Sequence, residues 1–449
     1  MLLIFFACQS PDPLEAAETE WIGDITVQTS AVIPAVLTVG FTTPADATAW
    51  VEFGAESSTE RLTPQSTGAV HTHHLLGLPP LTDAQLQIVT VVDGEEHRSG
   101  MLAEQTGQLL PSTPLPEVTI NNYAPSPHAA VLISLFSDPT HVLMMGLDGT
   151  VFWSMQTGAT GERGGLGCQP ALSDGLIFYN SFEIEGWAEG LIESVALDGS
   201  PAAQVETPGA HHFFERLPDG TLAWMAIEPR EVDGMGTVVG DQVMIQSPDG
   251  VQRSLISLWD HLTVYETSTW EQPAYGGADW THGNGLTYSD DRDSFLISTG
   301  GTDIILEVAS DGEVLRQLGG VDSVDGDYTF NPPNTAFSYP HGPHFSAAGE
   351  LLMMSTVNNR SRLVGYDIDD AEYRLTESWS YGEDRKSVVQ VLGEVEELDD
   401  GNLLVSWGSL GTLQVVTPEG EVLWEAQTGF GSLIGQAHLL ESPYRAGSP

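Results

Sequence analysis

Two distant stretches, "LDGTVFWSMQTG" (147–158) and "PEGEVLWEAQTG" (418–429), share one pattern: an acidic-glycine turn, an apolar strand carrying tryptophan, then Gln-Thr-Gly. Related turns at Gly199, Gly250 and Gly312 and near Asp370 make six of one kind. A second set of six lies between them, at 137–141, 173–175, 218–220, 289–293, 346–350 and 398–402. Each kind recurs at roughly 50 residues with almost no helical periodicity, and β-modules of that size bury their faces only by stacking in a ring. The expected fold over 123–449 is therefore a six-bladed β-propeller. An irregular pair of sandwiches is the coarser alternative.

Ahead of the repeat, short alternating runs such as "DITVQTS", "AVLTVGFTT", "ATAWVEFG" and "AQLQIVTVV" are separated by evenly spaced turns, the pattern of a β-sandwich. The pieces "WVEFG", "HHLLGLPPLT" and "VDGEE" resemble a fibronectin type III-like domain, bounded at 23–105 and followed by a proline-rich linker over 106–122. The all-β expectation is thus a small sandwich before a propeller. Residues 1–22 read as a truncated lipoprotein signal and an acidic tether: seven apolar residues lead to Cys8, then to "QSPDPLEAAETEWI". A lipid on Cys8 would be the one tie to a membrane, on an exported, periplasmic or outer-membrane lipoprotein. Cys168 then has no partner for an internal disulfide.

Charge narrows the partners. Against 63 Asp+Glu stand 14 Lys+Arg, a formal net charge of −49, which repels nucleic acid and anionic membranes. The same surface suits solubility in salt, a statement about habitat rather than activity. The Asp-Gly turns lack the ligand spacing of a calcium loop. "GERGGLG" (161–167) lacks the lysine of a phosphate loop, and no nucleophile elbow supports Ser-His-Asp chemistry.

Histidines supply the chemical signal. Counting back eight residues from the second set of turns reaches His212 before Gly220, His341 before Gly349, and His282 before Asp290. Blade six has Gly393 in that slot. Equivalent positions of successive blades face a common axis, so three imidazoles in one register should converge at one mouth of the channel. His211 and His344 neighbour these positions. His71, His73, His74 and His97 belong to the sandwich and read as solvated strand faces; His128, His141, His261 and His438 fit no shared slot.

"DWTHGNG", "HHFFERLPDG", "YPHGPHFSAAGELLMMSTVNNRSRLVGYDID" and "LGEVEELDDGNLLVSWGS" resemble the bacterial aryl-sulfate sulfotransferase family over about 120–449. The resemblance implies an exported propeller behind a β-sandwich that moves a sulfuryl group from an aryl sulfate to a phenol through a transiently sulfated histidine. Its partners are thus a small aryl sulfate and a phenol, with no cofactor and no metal; a homodimer is one state such propellers adopt. By motif the nucleophile falls on His341, with Pro340 where glutamine is usual. His212 and His282 become acid/base or oxyanion partners, and Asn284 an oxyanion donor. Trp280, Tyr339, His344 and His211 are the substrate-binding candidates.

These residue types suit the chemistry. Sulfuryl transfer is mainly positioning plus stabilisation of the non-bridging oxygens, and a neutral imidazole is a capable nucleophile near neutral pH. One departure stands out. The resembled pattern ends its next strand with an arginine that binds the sulfuryl oxygens, where this chain has Gly300, in "LISTGG". Loss of such a clamp costs on the order of 10²–10³ in rate. Arg360 and Arg362 are replacements to consider, blade-edge ion pairing being their other reading. Two further functions stay open: a catalytically impaired propeller that binds at a surface, and a three-histidine metal site with hydrolase activity.

Overall fold

The acidic-glycine turns of both sets are tight β-turns in a computed structural model of the chain. It describes residues 12–55, 59–157, 163–171, 174–183, 189–266, 276–382, 388–389, 391–429 and 432–444. Gly149, Gly199, Gly220, Gly250, Gly312, Gly349, Gly401 and Gly420 all have φ between 79° and 99°, a region closed to most residues by their Cβ. Cys8 lies outside the described residues.

Between these turns the strands form six sheets of four or five strands each, the six blades of a propeller. Both ends of the repeat close the ring. Leu433–Leu440 pairs with Ala130–Phe136 and becomes the inner strand of blade one. Glu117–Asn121 pairs with Val422–Gln427 and becomes the outermost strand of blade six. Exchange of strands from opposite ends leaves neither blade with the open edge that a simple chain start or stop would create. The linker expected over 106–122 is therefore shorter, because "EVTIN" alternates exposed and half-buried residues and pairs as a strand.

Inner strands of successive blades run side by side: Ala210–Arg216 in blade three, Gly283–Ser289 in four, His341–Phe345 in five and Glu394–Glu397 in six. Large apolar side chains fill the space between blades. Val243, Trp280, Leu286, Phe295 and Leu306 belong to one such buried cluster, and Met354, Leu363, Val405 and Trp407 to another. Each fully buried aliphatic or aromatic side chain contributes about 1.5–3 kcal/mol, so inter-blade packing holds the inner strands rigid.

The chain divides into two compact units; the N-terminal one is built on Met1–Pro111 and also takes in Thr150–Ser154 and Leu197–Ser200. Its seven strands hydrogen-bond into one sheet centred on the 19-residue strand Leu37–Ala55. That strand alternates buried and half-buried residues except at the Thr43–Asp46 step around Pro44, where its pairing shifts. Within the segment expected to be an acidic tether, Asp12 caps the short helix Pro13–Ala17, and Ala17 and Ile22 are buried.

Two of the N-terminal histidines expected on solvated strand faces are buried instead. His71 and His73 are only 2% and 4% exposed, because a chain of hydroxyls satisfies their nitrogens. Ser66 Oγ bridges His71 Nδ1 at 2.7 Å and His73 Nε2 at 2.9 Å, and Thr63 Oγ1 reaches His73 Nδ1 at 2.9 Å.

Candidate active site

The inner strands of blades three, four and five carry a pairing irregularity at the same place: between His211 and Phe214, Gly283 and Gly285, and His341 and His344. Two extra residues in blade three and one in each of blades four and five re-aim the side chains that follow. Three non-glycine residues around it are left-handed, His212 at φ 55°, His282 at 47° and Tyr339 at 49°. Each such conformation costs about 1–3 kcal/mol and persists only where its surroundings enforce it, a feature concentrated at functional sites.

The register brings the three histidines together. Ring centroids of His212 and His282 are 5.8 Å apart, those of His282 and Tyr339 5.8 Å, and those of Tyr339 and His341 5.0 Å. His211 stands edge-on to His212 at 5.0 Å. Asn284 reaches the cluster from the strand Gly283–Ser289 that begins just after His282, its Nδ2 3.2 Å from Nε2 of His341.

Two carboxylate relays set the protonation of these rings. Asp241 Oδ1 lies 2.9 Å from His211 Nε2, and His211 Nδ1 lies 2.7 Å from His212 Nδ1. If His211 donates to Asp241, its Nδ1 accepts from His212, which then presents Nε2 as its basic nitrogen. Burial, followed by the charges of His211, His282 and His341, pushes His212 well below the ordinary histidine value, so this ring is neutral. Burial alone would raise the Asp241 carboxyl, but His211 and hydrogen bonds from Thr281 Oγ1 and the Gly283 amide hold it low.

The second relay runs Asp279–His282–Tyr339. Asp279 Oδ2 is 2.6 Å from His282 Nδ1, and Tyr339 Oη is 3.0 Å from His282 Nε2. Burial works against the imidazolium, yet Asp279 and then Asp241 outweigh it and raise the His282 pKa. The Tyr339 hydroxyl is pushed up to about 12 by burial and the Asp279 charge. Asp303 fixes the tyrosine's backbone, accepting from its amide at 2.7 Å.

His341 has the opposite character from His282. It is 3% exposed and burial pushes it down to about 3, the Tyr339 carbonyl acting against and the His282 charge with that shift. Its Nδ1 is 3.2 Å from the Tyr339 carbonyl oxygen, which selects the tautomer protonated at Nδ1 and leaves the lone pair on Nε2. Ser298 donates to Asn284 Oδ1 at 2.8 Å, turning the asparagine NH₂ toward that nitrogen.

Other expected residues fall elsewhere. Trp280 is fully buried in the inter-blade core beside Trp259, centroids 4.7 Å apart, a packing position rather than a wall for a ligand. His211 is buried as the bridge between Asp241 and His212. His344 lies 3.4 Å from Glu394 and is driven down to about 4 by burial and then by His438. Gly300 has no room to be anything larger: a Cβ there would stand 2.7 Å from Tyr339 Cε2 and 2.8 Å from Asn284 Nδ2. Arg362 is engaged by Glu377 at 2.8 Å and the Thr335 carbonyl at 3.3 Å, and Arg360 is exposed.

Sequence reasoning passed over Asp241 and Asp279, although a lone Asp inside the apolar strand Gly236–Gln246 and the Asp-x-x-His spacing of "DWTH" both signal them. It also passed over a second register three residues on, where Glu215, His344 and Glu396 each precede a turn glycine by five. Burial raises Glu215 well above the carboxylate range and Glu396 to about 7. Among the described residues no group of three or more His, Cys, Asp or Glu is arranged to hold a metal ion.

Fold and site together define a six-bladed propeller whose inner strands converge on a buried histidine–carboxylate cluster. Residues 259–429 match the family model described as Arylsulfotransferase (ASST). No curated protein matches the sequence. Among solved structures it is similar to a protein of unknown function from Bacteroides caccae, at 14% identity and TM-score 0.45, covering 70% of this chain and 99% of that one. Nidogen in a nidogen/laminin complex gives 10%, 0.44, 70% and 99%. Virginiamycin B lyase from Staphylococcus aureus gives 13%, 0.36, 59% and 70%.

Proposed function

We propose that the chain transfers a sulfuryl group from an aryl sulfate to a phenolic acceptor through a sulfo-histidine at His341. The observation that carries this reading is the pairing, within one cluster, of a His341 held neutral by burial and a His282 whose pKa is raised by the Asp279 carboxylate 2.6 Å from its Nδ1. Nε2 of His341 attacks sulfur as the sulfur–aryloxy bond breaks. The departing phenolate takes the Tyr339 hydroxyl proton, which His282 replaces from Nε2. Reversal with a second phenol returns the proton to the pair and breaks the nitrogen–sulfur bond. Asn284 exchanges its contact with Nε2 for one with a sulfuryl oxygen, and the His282 charge offsets part of the anion.

Supporting this assignment is the family match, which spans His282 and the inner strands bearing Asn284 and His341. The reading extends to an exported protein tethered through Cys8, with a fibronectin type III-like N-terminal unit. Incubation with 4-nitrophenyl sulfate, with and without added phenol, tests it. Nitrophenol release that rises with phenol, together with formation of phenyl sulfate, supports transfer; release unaffected by phenol indicates hydrolysis instead.

One observation favours a second reading, a surface protein that binds aryl anions without turning them over. Gly300 leaves the cluster without the arginine seen in the resembled pattern, and Arg362 is already paired with Glu377. Aryl sulfate binding with no release of phenol would select it.

A further inference from the structure

Tyr339 separates the histidine cluster from a cavity of about 290 Å³ lined by Tyr265, Gly300, Gly301, Asp303, Asp322 and Tyr339, with Glu266 at its edge. Its size is at the low end for small-molecule sites and admits one substituted ring. Gly300, part of its wall, lies against the Asn284 amide that meets His341. A ring held there is thus one residue removed from the reacting centre.

The wall chemistry is one-sided. Two tyrosines supply aromatic faces, three acids supply negative charge, and no Lys or Arg is among the described lining residues. Asp303 is 4% exposed, yet its carboxylate is incompletely engaged. Oδ1 accepts from the Tyr339 amide and Ser338 Oγ, and Oδ2 from the Asp322 amide alone. Four lone-pair sites thus meet three described donors, leaving acceptor capacity at Oδ2. Asp322 is exposed and Tyr265 Oη donates to its carbonyl at 3.1 Å, which ties the aromatic wall to the acidic one.

We infer that this cavity is the acceptor subsite and that it selects a monocyclic phenol carrying a positively charged amine, a phenolic amine, over neutral or anionic phenols. The ring stacks against Tyr339 or Tyr265 and the ammonium group meets Asp303 and Asp322. The −49 chain gathers such a cation from solution and repels anionic phenols. That the bound phenol is an acceptor rests on sulfuryl transfer being the reaction; that it binds here does not.

Calorimetric titration of the full chain with three phenols of similar size separates the two questions: tyramine, 4-ethylphenol and 3-(4-hydroxyphenyl)propionate. Tyramine should bind about tenfold more tightly than 4-ethylphenol at low salt, the propionate more weakly than either, and added salt should narrow the gap. Asp303→Asn combined with Asp322→Asn should bring the tyramine to 4-ethylphenol ratio toward one. Both changes are isosteric, and circular dichroism confirms that this variant is folded. Equal affinities, a preference for the anion, or a cation preference that survives in the folded variant overturns the inference. Turnover with 4-nitrophenyl sulfate is read separately: discrimination in binding without turnover keeps the cation site and removes sulfuryl transfer.

Discussion

The Tyr339 hydroxyl sits 3.0 Å from Nε2 of His282, whose other nitrogen is 2.6 Å from Asp279. A carboxylate, an imidazole and a phenol are thereby linked in one proton path beside His341.

Removing the end of that path should matter most for poor leaving groups. Tyr339→Phe is expected to lower kcat with phenyl sulfate about 10²-fold, and with 4-nitrophenyl sulfate by far less, since nitrophenolate departs without a proton. Comparison of the two donors in steady-state kinetics checks this. Equal losses would assign the tyrosine a packing role.

The pH profile follows from two imidazoles shifted in opposite directions. His341, near 3, stays neutral throughout the ordinary histidine range, so no acid limb should appear there. His282, raised by Asp279, keeps its proton to higher pH than an ordinary histidine and loses it as pH climbs further, so kcat/KM should fall on the alkaline side. Asp279→Asn should move the alkaline limb to lower pH. A limb that stays put would release His282 from the acid role.

Asp241 gathers His211, Thr281 Oγ1 and the Gly283 amide around one buried carboxylate. Asp241→Asn leaves His211 without its anion and should cost about 3–5 kcal/mol of unfolding free energy, measurable as a lower denaturant midpoint. Because the folded carboxyl is held low, its stabilisation is present above the unfolded pKa and is lost as pH falls through the folded value.

The N-terminal unit should weaken in mild acid. His73 is held down to about 4 by burial and then by His71 and His74, against an ordinary 6.5. Above 6.5 neither state is charged; as pH drops toward 4 the unfolded chain binds the proton first. About 3 kcal/mol should be lost across that window. His73→Gln should flatten the slope in chemical denaturation followed at several pH values.

The side chain absent at position 300 is a constraint as well. Gly300→Ala would press on Tyr339 and Asn284 together and should reduce kcat/KM at least tenfold. Wild-type activity in that variant would show that the two side chains shift freely.

Much of this was legible before any coordinates. Turn glycines recur because only glycine enters those turns freely, so they reported the blades, and an eight-residue count from them reported His212, His282 and His341. The same count shortened to five reaches Glu215, His344 and Glu396, of which the two acids were hidden by their resemblance to surface charge. His71 and His73 looked exposed because strand alternation alone does not reveal which hydroxyls meet a ring across the sheet. Trp280 looked like a ligand wall because it adjoins the motif, but it lies between two strands with its ring packed in the inter-blade core beside Trp259. The strand Glu117–Asn121 was masked by the prolines before it, and its partner lies at the other end of the chain.

Mass spectrometry of protein quenched in acid-free conditions after mixing with excess 4-nitrophenyl sulfate, without acceptor, reads the covalent step itself. One sulfuryl group should appear on the peptide containing His341, vanish on addition of a phenol, and be absent from His341→Asn. An unmodified chain during active turnover, or a sulfuryl group on His212 or His282 instead, would contradict His341 as the nucleophile.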